Sequence, residues 1–266
     1  MNILDEIVAH KKEEVKLHQT KASVEELKAY PAFGRKTLSL KQFLLDDSKT
    51  GIIAEFKRKS PSKGIINGSA DVIKVTSAYS RHGASGLSVL TDENFFGGRM
   101  EDLIQARVNA VPILRKDFMI DEYQFYEAKA IGADVILLIA ACLTPQLVKQ
   151  FAVLAKQLEL EVLLEIHNEE ELAHICDEVD FVGVNNRNLK TFEVDINTSL
   201  RLFPQIPADK LAIAESGISN VDTIVTLKNA GFKGFLIGEN FMKEDDPAAA
   251  FEKFSIELKQ KTVGYK

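Results

Sequence analysis

The sequence predicts an α/β fold, a single (β/α)8 TIM barrel with an N-terminal helical extension. Three observations carry that expectation. Eight apolar, strand-like runs alternate with helical stretches at intervals of roughly 20–35 residues. Glycines that end helices (Gly83, Gly132 and Gly231) stand just before the next strand. Several runs finish on a carboxylate or an ammonium, as in Ile53-Ala54-Glu55-Phe56-Lys57 and Leu211-Ala212-Ile213-Ala214-Glu215. Burying such groups costs several kcal/mol unless they are paired or face a wet mouth.

Residues 1–47 read as helical. Ile3, Leu4, Ile7, Val8 and Val15 fall on one face of a first helix, and Asp5, Glu6, Lys11, Lys12 and Glu13 on the other. A second amphipathic piece is expected around Val24–Ala29 and a third near Leu38–Leu45. From Gly51 strands are expected at 51–57, 86–91, 111–116, 135–139, 161–166, 181–185, 211–215 and 234–238. Helices are expected between them at Ala70–His82, Met100–Val108, Asp121–Ile131, Pro145–Leu158, Glu169–Glu178, Ile196–Leu202 and Val221–Asn229. A closing helix runs from about Pro247 to Gln260. An open doubly wound sheet would want GxGxxG after the first strand, and Lys57–Gly64 does not carry it. No linker or low-complexity tract divides the chain, so the organisation is an extension (1–47) and a catalytic barrel (48–266).

Composition narrows the function classes. A net charge of −6 argues against nucleic acid or an anionic membrane as the main partner, though it allows a local cationic pocket. Cys142 and Cys176 lack CxxC spacing and read as free thiols in a reducing compartment. The five histidines show no HxH or HExxH spacing, so no histidine-built metal site is expected. There is neither a basic leader pattern nor an apolar run of membrane-spanning length, which places the protein in the cytoplasm.

Strand alternation sorts the charges. Ile53, Glu55 and Lys57 share a face, as do Leu114, Lys116 and Phe118; Leu163 and Glu165; Gly183, Asn185 and Arg187; and Ile213 and Glu215. Glu55, Lys57, Lys116, Glu165, Asn185, Arg187 and Glu215 would therefore converge on the C-terminal mouth, where barrel enzymes do chemistry. Interior ion pairs are the plain alternative for any one pair. Seven polar groups drawn from five strands outweigh it. Interleaved lysines would repel a divalent cation, whereas ammonium and carboxylate groups at close quarters suit proton transfer. Glu215-Ser216-Gly217-Ile218-Ser219 and Ile237-Gly238-Glu239-Asn240 follow the last two strands, where many barrels hold a phosphate. Ser60, in the loop Lys59–Gly64, adds a hydroxyl beside them. Phe96 and Phe118 follow strand ends and supply an apolar wall.

These segments resemble the motifs of the indole-3-glycerol phosphate synthase family: Ile53–Gly64, Leu114–Phe118, Leu164–Ile166, Gly183–Leu189 and Ala214–Ile218. The likeness covers nearly the whole chain, and the first segment is long and specific. It implies closure of 1-(2-carboxyphenylamino)-1-deoxyribulose 5-phosphate to indole-3-glycerol phosphate with loss of carbon dioxide and water. By position it implies Lys116 as the general acid and Glu165 as its partner carboxylate for the dehydration. Lys57 either holds the substrate carboxylate or acts as a second acid. Glu55 and Glu215 would orient lysines and substrate, and Asn185 and Arg187 would hydrogen-bond within the pocket. Ser60, Ser216, Gly217, Gly238 and Glu239 match the phosphate side, and Phe96, Phe118, Leu137 and Leu189 the walls around the anthranilate ring. No metal and no cofactor are implied. The partner is a phosphorylated small molecule, and transient contact with neighbouring tryptophan-pathway enzymes is the one protein partnership left open. With no amidotransferase or isomerase domain appended, the chain corresponds to the stand-alone form.

Three rivals remain at this level. A Schiff-base aldolase would use Lys57 or Lys116 as nucleophile. An anthranilate-pathway isomerase would want a thiol or carboxylate at the first strand end. A binding scaffold would have lost turnover, against which the intact Lys57, Lys116 and Glu165 argue.

Overall fold

A computed structural model describes residues 3–189 and 191–263. Met1 and Asn2 of the expected extension and residues 264–266 of the expected barrel span lie outside the described residues. Eight parallel strands close into a barrel: β1 (Ile52–Phe56), β2 (Gly86–Leu90), β3 (Ile113–Lys116), β4 (Val135–Ile139), β5 (Glu161–Ile166), β6 (Phe181–Asn185), β7 (Leu211–Glu215) and β8 (Gly234–Ile237). Sequential strands are neighbours, and β8 returns to β1 through the register Ile53↔Leu236. All eight lie within a residue or two of the expected bounds.

The two faces of each strand enter different cores, as the alternation requires. Ile53, Leu114, Leu137, Leu163, Phe181, Ile213 and Leu236 pack inside the barrel. Ile52, Leu87, Ile113, Ile136, Val162, Val182, Ala212 and Phe235 face the helical layer. The three extension helices are α1 (Ile3–Lys21), α2 (Val24–Lys28) and α3 (Leu40–Leu44). The outer layer is α4 (Val72–Arg81), α5 (Met100–Ala106), α6 (Tyr123–Ala130), α7 (Pro145–Gln157), α8 (Asn197–Leu202), α9 (Val221–Ala230), α10 (Glu239–Met242) and α11 (Pro247–Val263). Local chemistry sets their ends. Asp71, Thr144 and Asn220 cap α4, α7 and α9 by accepting from the third backbone N–H beyond them. Gly231 ends α9 at φ 119°, a left-handed backbone that a side chain would resist.

Three expectations are corrected. Lys11 does not sit on the polar face of α1; it is fully buried in a stripe with Ile7 and Val15. The spacing i, i+4, i+8 puts all three on one side of a helix, and acidic partners on the barrel accept the charge. The helix expected over Glu169–Glu178 is only a 3-10 turn, Glu170–His174. The His174 ring lies 3.1 Å from the Glu171 carbonyl, the acceptor a continuing α-helix would use, and Ile175 turns extended.

The third correction concerns the extension: its amphipathic pattern predicts a cover over part of the barrel mouth, and the structure divides it between the two ends of the barrel. Ile3, Leu4 and Ile7 of α1 reach the mouth, whereas α3 closes the opposite end. There Leu40 and Leu44 join the interior cluster, Leu38 N–H donates to Asp134 at 2.8 Å, and Leu40 N–H donates to Glu161 at 2.6 Å. Gly86 makes room for this plug: a Cβ there would stand 2.8 Å from Leu40 Cδ1.

Candidate active site

The C-terminal ends of the strands enclose two joined cavities. The first is walled by Phe96, Phe118, Leu137 and Leu189, roofed by Ile3, Leu4 and Ile7, and reached by Lys57, Lys116, Glu165 and Asn185. The Phe96 and Phe118 rings stand 6.0 Å apart, a spacing suited to an aromatic guest beside them. The second cavity is lined by Glu55, Lys63, Gly217, Gly238 and Lys243. Lys57, Arg187, Ser216 and Glu239 border both. Ser60 lines the first cavity. Of the site residues expected from the sequence, Glu215 alone lies beneath this lining, 2% exposed.

The charged groups interlock. Lys57 Nζ is 2.8 Å from Glu55 Oε1, and Ser88 donates to Glu55 Oε2 at 3.3 Å. Lys116 Nζ is 3.5 Å from Glu165 Oε2, while Asn185 Nδ2 donates to Glu165 Oε1 at 3.0 Å. Burial opposes the charge on Lys116, yet Glu165, Glu215 and Glu55 together hold the ammonium above its ordinary range. Burial also opposes ionisation of Glu165, but Lys116, His167 and Asn185 outweigh it and keep the carboxylate well below the usual range. Glu55 is lowered against burial by Lys57 and Lys116. Glu215 goes the other way: burial, reinforced by Glu165, raises it well above an ordinary carboxyl. Its Oε1 has no hydrogen-bond partner among the described residues and points at Gly183, where a Cβ would come within 2.1 Å. The site therefore holds one acid biased neutral among ionised neighbours.

The phosphate-side loops are shaped for close backbone approach. Ser216 and Gly217 are successive left-handed residues at φ 65° and 75°, and for serine that conformation costs about 1 kcal/mol. Gly238 is required for another reason: a Cβ there would lie 2.6 Å from Glu55 Oε1. Arg187 Nη2 donates to Glu239 Oε2 at 3.4 Å, and Lys63 approaches Glu239 Oε1 at 3.8 Å.

Two groups escaped the sequence reading. Lys11 pairs with Asp92 at 3.0 Å and Asp117 at 2.9 Å, all three fully enclosed. Asp92 accepts from the backbone N–H groups of Phe95 (2.8 Å) and Phe96 (3.2 Å), and Asp117 from that of Phe118 (2.8 Å). One buried ammonium thus ties α1 to the two loops bearing the aromatic wall. His167 is the other, 3.1 Å from Glu165 Oε1. It follows Glu165 by two residues, the same same-face spacing that links Glu55 to Lys57, so strand alternation held the signal for it.

Comparison with known proteins decides the family. The family model described as indole-3-glycerol phosphate synthase matches residues 4–254. The chain belongs to the indole-3-glycerol phosphate synthase family. It is 48% identical over 254 residues to the Bacteroides thetaiotaomicron indole-3-glycerol phosphate synthase, covering 95% of this chain and 97% of that one. The Salinibacter ruber synthase is 41% identical over 264 residues, covering 98% and 97%. That of Caldanaerobacter subterraneus subsp. tengcongensis is 44% identical over 246 residues, covering 92% and 94%. A solved structure described as native KDPGal matches with a TM-score of 0.57 at 11% identity, over 80% of this chain and 96% of that one. That likeness speaks for the barrel alone. The enzyme is a carboxy-lyase of tryptophan biosynthesis acting on a phosphorylated small molecule. Among the described residues no helix is long and apolar enough to cross a membrane.

Proposed function

We propose that the synthase reaction is divided between Lys116 and Glu165, with the substrate's ring in the aromatic cavity and its phosphate against Ser216, Gly217, Gly238 and Ser60. The observation that carries this is the Lys116–Glu165 pair at 3.5 Å, at the border of the phenylalanine wall. The ring carbon bearing the carboxylate attacks the ketone carbon of 1-(2-carboxyphenylamino)-1-deoxyribulose 5-phosphate. The ketone oxygen becomes an alkoxide, a stronger base than an amine, so Lys116 gives it a proton downhill even with its own affinity raised. Carbon dioxide leaves, and its bonding pair neutralises the ring iminium. The new hydroxyl then departs as water on a second proton, and Glu165 takes the proton from the neighbouring methylene to complete the indole. Lys57 borders both cavities, which suits it to supply that second proton. Glu55 holds Lys57, Asn185 holds Glu165, and Glu215 sets the local charge beneath them. Arg187 and Glu239 face the phosphate end, Glu239 through its backbone N–H, and Phe96, Phe118, Leu137 and Leu189 hold the ring.

We place the enzyme in the cytoplasm, and propose contact with other tryptophan-pathway enzymes as transient at most. The test of the catalytic assignment is turnover followed by indole fluorescence, against a protein background free of tryptophan. Lys116→Met should lower kcat by roughly 10²–10⁴ with substrate still binding. Unchanged kcat with a raised KM would make Lys116 a binding residue.

A further inference from the structure

His167 has no part in the roles above. It stands just beyond β5, on the same face as Glu165, with its side chain 10% exposed. A carboxylate stands at each ring nitrogen: Glu171 Oε2 is 3.1 Å from Nδ1, and Glu165 Oε1 is 3.1 Å from Nε2. Glu171 is itself fixed. Its Oε2 accepts the His167 backbone N–H at 2.7 Å, and its Oε1 accepts Asn168 Nδ2 at 3.0 Å. Its own N–H donates to Asn168 Oδ1 at 3.1 Å. His167 Nδ1 hydrogen-bonds Glu171, whereas Nε2 lies close to Glu165 Oε1 without hydrogen-bond alignment, so the ring acts on Glu165 through charge, and it carries that charge only when both nitrogens are protonated.

The partition of Glu165 follows from this. Asn185 donates to Oε1, the His167 ring stands beside the same oxygen, and Lys116 approaches Oε2. We propose that His167, anchored by Glu171, is a positioning residue that keeps Glu165 ionised and turned toward Lys116. The proposal rests on the assignment of Glu165 made above.

Charge balance supports it. The groups facing the pair are Lys116 on β3, Cys142 after β4, Asn185 on β6 and Glu215 on β7, with Glu55 and Lys57 beyond Lys116. With Glu215 biased neutral, Lys57 and Lys116 answer Glu55 and Glu165, and the imidazolium answers Glu171 while setting a second positive group beside Glu165. Burial works against a charged ring, yet Glu165 and Glu171 raise His167 to about 10. The ring therefore remains charged across the neutral range.

Two variants and one spectrum test this. In His167→Asn and Glu171→Gln, the acid limb of the kcat–pH profile should move up, by about 1 pH unit or more in the first and less in the second. KM should change little in either. Nitrogen NMR of wild-type His167 at pH 8 should show an imidazolium. An unmoved acid limb in both folded variants, with any loss confined to the melting temperature, would make His167 a purely structural residue. So would a neutral ring at pH 8. If His167→Asn does not fold, Glu171→Gln and the spectrum still decide. Glu165→Gln separates the two claims: full activity there overturns the Glu165 assignment, while a dead Glu165→Gln beside unmoved profiles overturns only the role of His167.

Discussion

Replacing Lys11 by methionine should damage this enzyme more than replacing any exposed lysine. The ammonium is 0% exposed and stands 3.0 Å from Asp92 and 2.9 Å from Asp117, both also 0% exposed. Methionine fills the space but leaves two buried carboxylates short of a counter-charge. Asp117 keeps Arg115 at 3.1 Å and Thr91 at 2.6 Å, whereas Asp92 keeps, among the described residues, only the backbone N–H groups of its loop. Removing one partner of a buried pair costs about 3–5 kcal/mol. At about 2–4 °C per kcal/mol for a chain of this size, the melting temperature should fall by about 6–20 °C. The damage should reach catalysis, because Asp92 and Asp117 hold the backbone of Phe96 and Phe118. Calorimetric melting read beside kcat/KM makes the test. A loss below about 1 kcal/mol, the scale of an exposed pair, would refute the idea that this ammonium joins helix to barrel.

Leu40→Ala should cost about 2–5 kcal/mol in urea unfolding, since Leu40 is 1% exposed and plugs the end of the barrel away from the site. Its kcat should stay near wild type; a selective loss of kcat would contradict the placement of α3. Gly238→Ala should depress kcat/KM more than stability, because the new methyl meets Glu55 Oε1 at 2.6 Å; an active Gly238→Ala enzyme would remove that constraint. Glu215→Gln should be as stable as wild type or more so. The folded carboxyl is raised, so its contribution to stability falls as pH climbs past the ordinary carboxylate range, and the advantage of Gln should grow over the same window in pH-dependent melts. A flat difference across pH would mean Glu215 is not biased neutral.

Much of this molecule was legible in its sequence because the strands are buried on both sides. Runs such as Val135–Ile139 are apolar throughout, and the interior-facing charges Glu55, Lys116, Glu165 and Glu215 stand at the C-terminal, mouth end of their runs. Period-two alternation then put Glu55, Lys116 and Glu165 on the interior side with Ile53, Leu114 and Leu163. What stayed hidden depends on tertiary partners. Lys11 looks like a surface lysine until Asp92 and Asp117 are seen across from it. An amphipathic helix declares a buried face but not the surface that covers it, so α1 and α3 could not be assigned to opposite ends. Glu215 shares the strand-end pattern of Glu165, yet its neighbour Gly183 lets it sink below the cavity lining. The short turn at Glu170–His174 arises from side chains competing for backbone groups, which hydropathy does not register.

The central claim is the division of labour between Lys116 and Glu165, and carbon dioxide release in a single turnover tests it most directly. Decarboxylation follows ring closure and precedes dehydration, so the two residues should fail at different points. Lys116→Met should release neither carbon dioxide nor indole on the wild-type timescale. Glu165→Gln should release carbon dioxide near the wild-type rate while indole fluorescence lags, as the decarboxylated hydroxy intermediate accumulates. Loss of both signals together in Glu165→Gln, or carbon dioxide release at the wild-type rate in Lys116→Met, would contradict the assignment.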